Sequence, residues 1–153
     1  MQNVRVNELF LAVHEWPGTG PAVLCIHGLT ANHSCWASVA DILSPDYRLI
    51  AYDLRGRGGS DKPEKGYSPQ IHCQDLLGLL DHFGLRKATL ILRAPDGLLT
   101  ATDCLMTEEE ARALAHAIPK SKLVLIPNTN HYTVLMGRNP KVKAALRSFL
   151  TPR

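Results

Sequence analysis

Ala22-Val23-Leu24-Cys25-Ile26-His27-Gly28 is five apolar residues in a row closed by a histidine and a glycine. An unbroken apolar run of that length is the mark of a strand covered on both faces, as in a parallel sheet flanked by helices. The pattern then changes period. Trp36, Val39, Ala40 and Leu43 recur at i, i+3, i+4 and i+7, which predicts a helix with Ser34 as its N-cap and Pro45 as its stop. A second strand, Tyr47 to Tyr52, runs into the glycine-rich stretch Asp53-Leu54-Arg55-Gly56-Arg57-Gly58-Gly59-Ser60-Asp61.

The alternation continues outward from this centre. Ser68 and Pro69 open a helix as N-cap and N1, Leu76, Leu79, Leu80 and Phe83 share one of its faces, and Gly84 closes it. Ala88 to Leu92 predicts a third strand, followed by a loop rich in Pro and Gly. Thr107-Glu108-Glu109-Glu110 reads as a capping box opening a helix that presents Ala111, Leu114, Ala115 and Ile118 and stops at Pro119. Leu123 to Ile126 predicts a fourth strand, and Asn139-Pro140 a last helix with Val142, Leu146 and Phe149 inward. Ahead of the centre, Val4 to Val13 predicts one or two short strands, ended by the turn cluster Trp16 to Gly20.

Repeated strand-then-helix units imply an α/β fold. The expectation is a three-layer sandwich, a mainly parallel sheet of five or six strands with helices on both faces. At 153 residues the chain is expected to form one domain, 1–153. Loops that carry chemistry should gather at the carboxyl ends of the strands, and His27, Asp53, the segment Arg93 to Asp103 and Asn130-His131 all follow apolar runs.

Composition excludes other classes. Hydrophobic residues make up 45% and charged residues 20%, which is globular rather than disordered, collagen-like or coiled-coil. The formal charge of +3, from 17 Lys and Arg against 14 Asp and Glu, is scattered along the chain, so no nucleic-acid partner is expected. No apolar run approaches the roughly 20 residues that span a bilayer, and residues 1–9 hold no signal-like stretch, so neither membrane insertion nor secretion is expected. Cys25, Cys35, Cys73 and Cys104 show no C-x-x-C spacing, and Cys25 sits inside an apolar run. That usage suits a reducing, cytoplasmic setting.

The sequence resembles the α/β-hydrolase superfamily, especially its compact esterase and lactonase-like members. His27-Gly28 after a buried strand is similar to the family's H-G turn, whose backbone N–H groups help build an oxyanion hole. Asp53 to Ser60 matches the pattern D-x-R-G-x-G-x-S, and Asn128-Thr129-Asn130-His131 resembles the loop that bears the catalytic histidine. The resemblance runs from Val4 to Leu150 with one interruption. The G-x-S-x-G turn that exposes the nucleophilic serine is absent. Leu85 to Ile91 is similar to the lead-in to that turn, whereas Leu92 to Gly97 is similar to the exit from a much later strand that carries the acid. Two strands are thus read as fused into one, with the nucleophile elbow, the cap and the intervening elements missing.

The resemblance implies hydrolysis of carboxylic esters or related acyl compounds by a base, a carboxylate and an oxyanion site. His131 is the candidate base. Asp103 is its expected partner because the helix and strand between them resemble the family's acid-to-histidine interval, and Asp96, nearer the end of the third strand, is the rival. His27, Gly28 and Leu29 are the candidate oxyanion and substrate-binding residues. None of the seven serines lies in an elbow; Ser60 reads as structural, and Cys104 or Cys35 would attack only if its thiolate were favoured. Cys25, Cys35, His27 and His33 make an unconvincing zinc set because Cys25 belongs to the core. No metal or other cofactor is expected, nor a phosphate loop. The expectation is therefore weak or no esterase activity on a small acyl or ester substrate. The alternative is a catalytically silent module that forms homo-oligomers through surfaces left by the missing segment.

Overall fold

The computed structural model of the protein describes residues 1–28, 31–86 and 89–92, together with Ala144, Arg147, Ser148 and Leu150. Among these residues five strands form one sheet: β1 (Gln2–Val6), β2 (Leu9–Trp16), β3 (Ala22–Ile26), β4 (Arg48–Tyr52) and β5 (Thr89–Leu92). Their order across the sheet is β1-β2-β4-β3-β5. Two helices, α1 (Ala37–Leu43) and α2 (Pro69–His82), fill the crossovers after β3 and β4.

The sheet is mixed, and the reason lies in the connections. Asn7 and Glu8 are all that separates β1 from β2, and so short a link permits only an antiparallel pair; Asn7 takes the left-handed backbone (φ 54°) that such a turn needs. β2 also pairs antiparallel with β4, Val13 facing Tyr52. The pairs β3–β4 and β3–β5 are parallel; α1 links β3 to β4, and α2 links β4 to β5. The first expected strand region thus resolves into two strands, and the parallel part of the described sheet is β4-β3-β5.

Period-two alternation divides the interior into two cores. Leu24, Ile26, Ile50 and Tyr52 point to the side covered by α2, where Leu76, Leu79 and Leu80 meet Val4, Val6, Leu11 and Val13. Val23, Cys25, Leu49 and Ala51 point the other way, onto Trp36, Val39, Ala40 and Leu43. Helices therefore cover both faces, and all five residues of β3 are buried, as their continuous apolarity requires. Gly78 lets α2 lie close on the sheet: a Cβ there would come within 2.5 Å of Val6 Cγ1.

Local signals account for most element ends. Ser68 caps α2, its hydroxyl accepting from the Ile71 N–H, Pro69 sits in the first turn, and Gly84 follows with φ 63°. The expected Ser34 cap is corrected. The chain first makes a 3-10 turn over His33–Trp36, capped by Asn32, whose side-chain oxygen accepts from both the N–H and the hydroxyl of Ser34. Asn competes for this position because its side-chain oxygen reaches a backbone N–H two residues on.

The capping box at Thr107, the strand from Leu123 to Ile126, and Val142, Leu146 and Phe149 lie outside the described residues. Ala144, Arg147, Ser148 and Leu150 are helical, and Leu150 is buried in the core on the α1 side. No helix among the described residues is long and apolar enough to cross a membrane.

Candidate functional site

Parallel pairing brings the ends of β3 and β4 level, Ile26 beside Tyr52, so that His27 and Asp53 leave the sheet together at its carboxyl edge. Both side chains are 1% exposed. The His27 imidazole is committed on both sides: Nε2 lies 3.0 Å from the Leu54 N–H and Nδ1 lies 2.6 Å from the Gly28 carbonyl. Only the tautomer with its proton on Nδ1 satisfies both contacts. His27 therefore ties the turn after β3 to the loop after β4 and has no nitrogen left for proton transfer. The Gly28 carbonyl also accepts from Ala31 N–H.

Asp53 is the hub of the second loop. One carboxylate oxygen accepts from the His33 backbone N–H at 2.7 Å and faces His33 Nδ1 at 2.8 Å; the other accepts from Gly59 N–H at 2.8 Å. Burial alone would raise its pKa, but these donors outweigh that cost and hold the carboxyl below its ordinary value. The loop must close tightly to do this: Gly58 has φ 46°, and a Cβ there would collide with Asp53 Oδ2. Ser60 accepts from Ala12 N–H and donates to the Asp53 carbonyl, so its hydroxyl is used inside the fold, in keeping with a structural reading. Arg55 points away from the edge. Its Nε and Nη2 each lie 2.6 Å from an oxygen of Asp75 on α2, and its Nη1 donates to the Gly66 carbonyl.

His33 was not among the residues expected to function, yet it carries the best-formed acid–base pair among the described residues. Its ring stacks on His14 with centroids 5.5 Å apart and planes at 26°, and His14 meets Trp16 edge-on. Its side chain is 20% exposed, against 1% for that of Asp53. The two residues stand twenty positions apart and are joined only because adjacent strands end level. The signal in the sequence was that each closely follows a strand end.

The other candidates fall as follows. Leu29, Asp96, Asp103, Cys104 and His131 lie outside the described residues. Cys25 is buried, and burial, followed by the neighbouring Cys35, pushes its thiol far above the usual range, so it behaves as a small apolar residue. With Cys25 in the core and both His27 nitrogens committed, the zinc set has lost two of its four members.

Two buried histidines give the fold a pH dependence. Burial lowers the pKa of His27 and of His72, whose Nδ1 has no hydrogen-bond partner among the described residues. In the unfolded chain each returns to about 6.5. Below that pH the unfolded state binds protons that the folded state refuses, so stability falls on acidification, with Asp53 adding a further loss below the ordinary carboxylate range. Urea unfolding followed by circular dichroism should give a lower midpoint at pH 5 than at pH 7, and the difference should shrink in His27→Asn.

Residues 21–91 match the family model of the alpha/beta hydrolase fold. Among curated proteins, the 2-(acetamidomethylene)succinate hydrolase of Mesorhizobium japonicum is 36% identical over 90 residues, 59% of this chain and 32% of that protein. A putative 2-succinyl-6-hydroxy-2,4-cyclohexadiene-1-carboxylate synthase of Bacillus subtilis is 33% identical over 116 residues, 73% of this chain and 42% of that protein. Among solved structures, an epoxide hydrolase from Vigna radiata superposes with a TM-score of 0.57 at 33% identity, covering 60% of this chain and 31% of the other. The chain spans less than half the length of these relatives.

Proposed function

From the premise that this chain belongs to the α/β-hydrolase superfamily through residues 21–91, we propose that it is a hydrolase-derived scaffold with weak activity on activated carboxylic esters. The observation that carries the reading is the interlocked pair of loops at the carboxyl edge: the H-G turn held by His27, and the D-x-R-G-x-G-x-S loop held by Asp53 and Ser60. They stand where the fold concentrates its chemistry. The strand β5 supports the second half of the reading. Thr89–Leu92 is extended and parallel to β3, Ile26 beside Leu92, so its exit reaches the same edge. In a complete relative a nucleophile elbow would follow there; here the sequence continues Arg93-Ala94-Pro95-Asp96 with no G-x-S-x-G turn.

His131 is proposed as the base that activates water, with Asp103 or Asp96 as its carboxylate and the backbone around Gly28 and Leu29 as oxyanion donors. The substrate class is a small acyl compound with a good leaving group, since no serine is available for the first displacement. The test is steady-state hydrolysis of p-nitrophenyl acetate with and without His131→Ala. The reading expects the turnover rate above buffer to fall by about a hundredfold or more when the base is removed. An unchanged rate removes His131 from the mechanism. Hydrolysis no faster than buffer in the unaltered chain leaves the contrasting reading, a silent module that associates with itself.

A further inference from the structure

We propose that His33 supplies the attacking atom that this chain otherwise lacks, as an imidazole nucleophile towards activated esters, with Asp53 as its positioning residue. The proposal rests on the ester-hydrolysis reading for its reaction class, but on a different residue and a different step.

The geometry is that of a prepared nucleophile. Asp53 Oδ1, in a buried and ionised carboxylate, faces His33 Nδ1 at 2.8 Å and fixes the proton on that nitrogen. The lone pair is then on Nε2, which no described residue takes up. Three contacts hold the ring in place: the Nδ1 bond, the His33 N–H bond to the same oxygen, and the stack on His14, itself braced by Trp16. The side chain is partly open to solvent, whereas that of His27 on the same edge is buried and spent on both nitrogens.

In the proposed step, Nε2 attacks the acyl carbon and forms an N–C bond. The tetrahedral intermediate collapses with cleavage of the ester C–O bond, and the leaving group departs with the bonding pair as p-nitrophenolate, which needs no proton. The acyl-imidazolium keeps its Nδ1 proton against Asp53, whose negative charge stabilises the positive ring. Water then adds to the acyl carbon, the N–C bond breaks with its electron pair returning to Nε2, the product departs as carboxylate, and the two protons released pass to solvent, regenerating the His33 imidazole with its proton on Nδ1. Only an ester with a leaving group about as acidic as p-nitrophenol suits this route, because no general acid takes part.

The experiment mixes the full chain in molar excess with p-nitrophenyl acetate, so that p-nitrophenolate release reads acylation rather than turnover. His33→Gln should slow release by about tenfold or more, while His82→Gln, at an exposed histidine on α2, should leave it unchanged. Loss of release in His131→Ala with retention in His33→Gln would overturn this inference and leave the His131 reading standing. Equal release by His33→Gln and the parent chain would also overturn it. A measurement on the unaltered chain guards against a variant that fails to fold. Brief treatment with diethyl pyrocarbonate and peptide mass mapping should find His33 modified ahead of His27 and His72, and an unmodified His33 would refute an available Nε2.

Discussion

Arg55→Ala is expected to lower the unfolding free energy by about 3–5 kcal/mol, the usual penalty for removing one partner of a buried ion pair. The guanidinium meets both oxygens of Asp75 in a two-bond fork at 2.6 Å, with side-chain exposures of 8% and 1%. Alanine would strand the Asp75 carboxylate inside the fold with, among the described residues, only a long contact from Asn7 Nδ2 at 3.5 Å. It would also release Gly66, whose carbonyl Arg55 holds, and so loosen the approach to α2. The pair itself is costly to bury, so removing both charges at once should hurt less than removing one. Arg55→Met combined with Asp75→Leu is therefore expected to be more stable than Arg55→Ala alone. Urea unfolding of the parent, both single variants and the pair measures the coupling, and strictly additive losses would show that the fork contributes nothing.

The second large effect is expected at Asp53. Asp53→Asn keeps the size of the side chain but turns an amide NH2 towards at least one of the donors that the carboxylate satisfied. Two backbone N–H groups and an imidazole N–H converge on its two oxygens. Hydrogen bonds to a charged acceptor contribute about 1.5–3 kcal/mol each, partly offset by relief of a buried charge, so a net loss of about 3 kcal/mol is expected. Amide exchange gives the specific signature: the N–H groups of His33 and Gly59 should lose protection beyond the global change. A variant as stable as the parent, with both amides still protected, would mean that Asp53 is not the hub of this edge.

These two residues also show what the sequence could and could not convey. The D-x-R-G-x-G-x-S run was legible as a motif, and the two strand ends preceding the H-G turn and that run were legible from apolar patterning. What each polar side chain grips was not, because Asp53 with His33, and Arg55 with Asp75, are contacts made across separate elements. They exist only once β3 and β4 stand in register and α2 has crossed back over the sheet. Helix α2 could be read almost completely, since Ser68, Pro69, the Leu76-Leu79-Leu80 face and Gly84 all act within the helix. The antiparallel β1–β2 pair was less legible because Leu9 to Trp16 is longer and less cleanly alternating than a single half-buried strand. At Ser34 two capping residues compete within three positions, and only backbone direction decides for Asn32. His33 escaped notice for the same reason: a histidine in a polar loop carries no local mark of the carboxylate that will meet it.

The central proposal is that this chain has a hydrolase-family architecture without a serine placed to attack. Treatment of the full chain with a fluorophosphonate, followed by intact mass and peptide mapping, tests it most directly. The account predicts no stoichiometric adduct on any of the seven serines. One phosphonyl group per chain on a single serine would contradict it.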